Sequence, residues 1–94
     1  MEELYEARQI IYHGNVQGVG FRRKCCQIAL NYQVGGTVKN LSDGTVLLQV
    51  QGAKKEIESF LAEILLAFDT KISGQMCSDL GSLRFPDDKL RIVD

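Results

Sequence analysis

In the stretch Gly14-Asn15-Val16-Gln17-Gly18-Val19-Gly20, three glycines fall within seven residues, and Phe21 and a run of three cations, Arg22-Arg23-Lys24, follow at once. Glycines let a backbone curve tightly and let a ligand approach main-chain N–H groups, which is what a phosphate-cradling loop requires. The adjacent cations would draw an anion, although a charge run taken alone is more often a solvated helix face. Other reactive side chains offer less. His13 is the single histidine and has no cysteine or carboxylate at metal-ligand spacing, so it is assigned no catalytic role. Cys25 and Cys26 lie one turn beyond the loop, where nearby cations favour a thiolate, but the place of Cys25 on an apolar stripe predicts that it packs.

The elements around these residues follow from hydrophobic periodicity. Arg8 to His13, with Ile10, Ile11 and Tyr12, reads as a first strand that Gly14 ends. From Phe21 onward, Phe21, Cys25, Ile28 or Ala29, and Tyr32 recur at helical spacing, predicting an amphipathic helix stopped by Gly35-Gly36. Thr37 to Asn40 then leads through Leu41-Ser42-Asp43-Gly44 into Thr45 to Gln51, and an Asp-Gly pair between β-favouring runs predicts a hairpin. Ile57, Phe60, Leu61, Ile64, Leu65 and Phe68 share one helical face and predict a second helix. Ile72 to Cys77 is a weaker strand interrupted by Gly74. Leu80 to Asp88, with the only proline at Pro86, reads as a loop before a short last strand from Leu90 to Val93. The βαββαβ order predicts an α+β, ferredoxin-like sandwich with an antiparallel sheet and two helices on one face.

With 94 residues, 45% of them hydrophobic and 24% charged, the chain is expected to form one domain over residues 1–94 and to be neither disordered nor collagen-like. Eleven Lys and Arg against twelve Asp and Glu give a net charge of -1, which argues against a general nucleic-acid binder. The run Thr45 to Gln51 also lacks the aromatic residues that an RNA-reading sheet displays. The acidic residues Glu2, Glu3 and Glu6 crowd the N-terminus, which has no signal-peptide pattern, and no apolar run approaches a membrane span. Three cysteines without a Cys-x-x-Cys pair predict a reduced, cytoplasmic setting.

The segment from Gly14 to Arg22 closely resembles the acylphosphatase loop signature Gly-x-Val-Gln-Gly-Val-x-Phe-Arg. Gly36-Thr37-Val38-Lys39-Asn40, followed by Gly44, Val46 and Gly52, resembles the second motif of that family. The resemblance implies hydrolysis of the carboxyl-phosphate bond of small acyl phosphates, with Arg22 and Asn40 as catalytic residues. Arg22 would be the phosphate-binding arginine and Asn40 the water-positioning asparagine, while Asn15, Val16, Gln17, Gly18, Val19 and Gly20 would form the phosphate-binding loop. A guanidinium can grip two phosphoryl oxygens at once, and a carboxylate leaves with little acid assistance, so this chemistry needs mostly positioning. No metal, cofactor or covalent nucleophile is implied. The expected partners are a small acyl phosphate and inorganic phosphate, the latter as product and competitive inhibitor. No nucleic acid or membrane is expected, and the chain is expected to be a monomer.

Two positions depart from the family pattern. Thr37 stands where an aromatic residue is usual, which predicts a smaller packing surface beside the site strand. Asn15 stands where Arg, Lys or another polar residue is usual, which predicts weaker anion attraction. A phosphate-binding module of the same fold without turnover is the alternative function. The resemblance extends to the acylphosphatase-like domain of a hydrogenase-maturation carbamoyltransferase, whose zinc-finger and transferase regions are not expected in this one-domain chain.

Overall fold

The computed structural model describes residues 5–81 and 85–94. Glu2, Glu3 and part of the expected Leu80 to Asp88 loop lie outside them. The Ile10-Ile11-Tyr12 run sits in β1 (Tyr5–Gly14), longer than the predicted strand. It is followed by α1 (Phe21–Ala29), β2 (Val34–Asn40), β3 (Val46–Ala53), α2 (Lys54–Ala67), β4 (Ile72–Asp79) and β5 (Leu90–Ile92). The strands form one sheet in the order β4-β1-β3-β2-β5.

Four of the strands pair antiparallel, as expected of the ferredoxin-like arrangement. The fifth differs: β5 pairs in parallel with β2, Gly36 opposite Leu90 and Val38 opposite Ile92, so the sheet is mixed. Strand alternation places Val34, Val38 and Asn40 of β2 on one face with Val46, Leu48 and Val50 of β3. Both helices cover that face. Phe21, Cys25, Ile28 and Ala29 of α1 and Ile57, Phe60 and Ile64 of α2 join Ile10, Tyr12 and the strand valines in one buried cluster. Phe21 stands at its centre, its ring 5.1 Å from that of Tyr12 and 4.7 Å from that of Phe68. The predicted apolar face of α2 is narrower than its spacing suggests, because Leu65 is exposed.

Gly35 and Gly36 do not stop α1, which ends at Ala29, with Leu30 as its C-cap. They belong to β2, and their role is close approach between strands. A Cβ at Gly36, whose φ is +143°, would meet the Gln49 carbonyl oxygen of β3, and one at Gly35 would meet the Asp87 carbonyl oxygen. Gly74 does not break β4, and there a Cβ would meet nothing.

The return to β5 is held by a buried side chain. Gln51, 3% exposed, accepts from the Phe85 N–H at 2.7 Å and donates to the Phe85 carbonyl at 2.9 Å, so its amide stands in for a strand neighbour. Gly36 N–H to Lys89 and Val93 N–H to Val38 continue the seam, each at 3.0 Å.

Candidate active site

The loop after β1 is fixed at both ends. The Asn15 N–H donates to the Lys71 carbonyl at 2.8 Å, pinning the loop to the turn before β4. The Gln17 side chain crosses to the β2–β3 hairpin and donates to the carbonyls of Leu41 and Thr45, both at 2.8 Å. That hairpin is closed by Leu41 N–H to Thr45 at 2.9 Å and by Asp43, which accepts from the Thr45 N–H at 3.0 Å and hydroxyl at 2.6 Å. These Thr45 bonds hold the Asp43 carboxyl below its ordinary range. Loop and hairpin are thus tied together, and Asn40 is the last residue of β2 before that hairpin.

At the far end of the loop, Gly18 and Gly20 adopt left-handed backbone with φ of +74° and +77°, conformations that favour glycine. Gly20 is the N-cap of α1, where no side chain caps the helix and no acidic residue occupies the first turn. Instead, Arg22, Arg23 and Lys24 stand there, the sign that a helix N-terminus disfavours. An anion would satisfy both the free N–H groups and the cations.

Val16, Gly18, Gly20, Phe21, Arg22, Arg23, Asn40 and Ile92 line a cleft of about 260 Å³. Arg22 is half-buried, and no carboxylate among the described residues pairs with it; the three ion pairs involve Arg8 and Arg91. Asn40 contributes a second uncompensated group, because its Oδ1 is buried with no hydrogen-bond donor among the described residues. Leaving such an acceptor unsatisfied costs about 1–3 kcal/mol, so it is a place where a donor would be held.

The sequence-predicted residues therefore divide. Val16, Gly18, Gly20, Arg22 and Asn40 meet at the cleft, while Asn15, Gln17 and Val19 do not line it. Asn15 and Gln17 brace the loop, and Val19 packs against the core. Asn15 is exposed away from the cleft. Thr37 alternates with Val38 and Asn40, which turns it to the opposite face of the sheet, so its missing aromatic bulk is not beside the cleft. Ile92 joins the lining without a signal in the sequence, because a three-residue strand at the far end of the chain carries no sign of where it docks.

The two thiols of α1 are not activated. Burial pushes Cys25 up to about 12 and also raises Cys26, the reverse of what the nearby cations would do. His13 is exposed and absent from the cleft lining. Among the described residues, no three His, Cys, Asp or Glu side chains are grouped to hold a metal ion, and no helix is long and apolar enough to cross a membrane.

Comparison with known proteins is consistent with this arrangement. An acylphosphatase from Clostridium acetobutylicum is 51% identical over 51 residues, covering 54% of this chain and 56% of that protein. The matches to the first curated relatives span 56–62% of their length. The crystal structure of acylphosphatase from Bacillus subtilis superposes with a TM-score of 0.82 at 27% identity, covering 97% of this chain and 100% of that one. Full-length HypF in its phosphate- and nucleotide-bound form aligns over 100% of this chain and 12% of its own, with a TM-score of 0.80 and 30% identity. The acylphosphatase family pattern itself runs through residues 8–74, taking in the loop, Arg22, Asn40 and the hairpin that follows Asn40, and the chain belongs to that family.

Proposed function

We propose that this chain is an acylphosphatase that hydrolyses small acyl phosphates to a carboxylate and inorganic phosphate. The observation that carries the reading is the convergence, in one cleft, of the Arg22 guanidinium and the buried Asn40 carbonyl oxygen, neither of which has a partner among the described residues. Arg22 grips two phosphoryl oxygens, and the N–H groups around Gly18 and Gly20 take the remaining negative charge. Asn40 Oδ1 accepts a hydrogen bond from a water and aims its lone pair at phosphorus. The water oxygen–phosphorus bond forms as the phosphorus–acyl oxygen bond breaks. The bonding pair leaves on the carboxylate, and the water proton passes to a phosphoryl oxygen. Because the carboxylate is a good leaving group, positioning and charge stabilisation supply the catalysis.

This reading makes inorganic phosphate both product and competitive inhibitor, since it presents the same oxygens to Arg22. It assigns the phosphate charge to side chains and main chain, so turnover should persist in EDTA. It also places a monomer in a reducing, cytoplasmic compartment, in keeping with three free thiols.

Asn40→Ala tests the division of labour. With acetyl phosphate, kcat should fall about 10²–10³-fold, by analogy with removing one preorganised polar group, while phosphate affinity changes far less. Circular dichroism establishes that the variant is folded. Unchanged turnover, or a loss of phosphate affinity in proportion to rate, would remove the water-positioning role. Wild-type binding of phosphate without turnover of any acyl phosphate would instead mark a binding module.

A further inference from the structure

We infer that the groove between α1 and β5 is an acyl-chain subsite, and that the preferred substrates carry an extended, uncharged hydrocarbon acyl group. This deepens the proposed hydrolysis and rests on it. Beside the cleft lies a second cavity of about 500 Å³, with Cys26, Ala29, Leu30, Tyr32 and Leu90 supplying much of its wall. Arg23 lines both cavities, so they adjoin at that residue. Two elements make them successive segments of one groove. Along α1, the lining passes from Arg22 and Arg23 to Cys26 and Leu30, and along β5 it passes from Ile92 to Leu90.

The dimensions suit a chain. Ile92 and Leu90 are alternate residues on the same face of β5, about 6.6 Å apart, a span that about five methylenes cover. An acyl phosphate gripped at Arg22 must project its carbonyl carbon and chain out of a cleft of about 260 Å³, and the α1–β5 groove gives it an apolar path.

The groove is also built rather than incidental. Leu90 stands opposite Gly36 in the parallel β2–β5 pair, which fixes its position along the groove. The Tyr32 hydroxyl donates to Glu63 at 2.6 Å, which fixes the ring that walls the far end. The other wall is held by Arg91, which donates to both carboxylate oxygens of Asp87 at 2.8 Å, and by the Gly36 N–H bond to Lys89. The charged and amide members of the lining, Arg23, Gln27, Asp88 and Lys89, are all exposed.

The test compares kcat/KM for acetyl, butyryl and hexanoyl phosphate in the wild type and two variants. In the wild type kcat/KM should climb about two- to threefold per methylene, reaching about 15–80-fold for hexanoyl over acetyl phosphate. Cys26→Phe fills the groove and should abolish that advantage while leaving acetyl phosphate within about twofold of wild type. Leu30→Gln places an amide at the mouth and should cut the advantage at least threefold. Leu30 is 84% exposed, so this substitution does not threaten the fold. Equal kcat/KM for all three substrates, with acetyl phosphate turned over, would overturn the subsite and leave the hydrolase intact. An equal loss on all substrates in Leu30→Gln would also overturn it. No turnover of any of them would overturn the hydrolase and the subsite together.

Discussion

Gln17 shows how a loop residue outside the cleft governs the geometry within it. Its amide donates to the carbonyls of Leu41 and Thr45, tying the loop that precedes Arg22 to the hairpin that follows Asn40. Gln17→Ala should destabilise the fold by about 1–3 kcal/mol in urea titrations, because two carbonyls lose a donor. It should also lower kcat for acetyl phosphate. Gln17→Glu should not rescue kcat, since an ionised carboxylate cannot donate. A stability loss with unchanged kcat would make Gln17 a structural brace only. Cys25 gives a second prediction at this scale. Its thiol pKa is raised by burial, so the folded chain holds that proton more tightly than the unfolded chain does. The resulting stability is complete below the ordinary thiol value of about 8.5. It is lost as pH rises toward about 12. Tyr12, also raised by burial, acts in the same direction above its ordinary value of about 10. The urea midpoint should therefore fall between pH 8 and 10.5, and less steeply in Cys25→Ala; a flat profile would contradict this.

Among the elements, β2 carries the tightest constraint, because it brings Asn40 to the cleft while lying between β3 and β5. Gly36→Ala would force a Cβ onto the Gln49 carbonyl at a φ of +143°. Strain and overpacking together should cost about 2–5 kcal/mol, read as a lowered urea midpoint, while a loss below about 1 kcal/mol would show that β2 and β3 can separate to accept it. The same strand marks where sequence reading succeeded and failed. The loop, both helices and the hairpin were legible, because each has a local pattern: glycine spacing, a 3.6-residue apolar stripe, an Asp-Gly turn. Gly35-Gly36 reads as a helix stop because glycine has the same local signature whether it ends a helix or admits a neighbouring strand. The parallel docking of β5, and with it Ile92 in the cleft, depends on Gln51 holding Phe85 from 34 residues away, a contact with no local pattern. Asn15, Gln17 and Val19 belong to the motif, yet a motif does not distinguish residues that line a cleft from those that brace it.

For the molecule as a whole, the sheet supplies the base from which two loops and one helix end converge on a single cleft. Phe21 connects the base to the site: its side chain sits in the core against Tyr12 and Phe68, and Arg22 follows it directly in α1. The mixed edge adds the wall that closes the cleft at Ile92. On the proposed reading Arg22 and the loop fix the phosphoryl group and Asn40 fixes the water, which directs attack at phosphorus rather than at the acyl carbon. The most direct measurement is hydrolysis of acetyl phosphate by the purified chain in oxygen-18 water, corrected for the spontaneous reaction, with both products analysed by mass spectrometry. One labelled oxygen should appear in inorganic phosphate and none in acetate. Label in acetate, or no release above the spontaneous rate, would contradict the account.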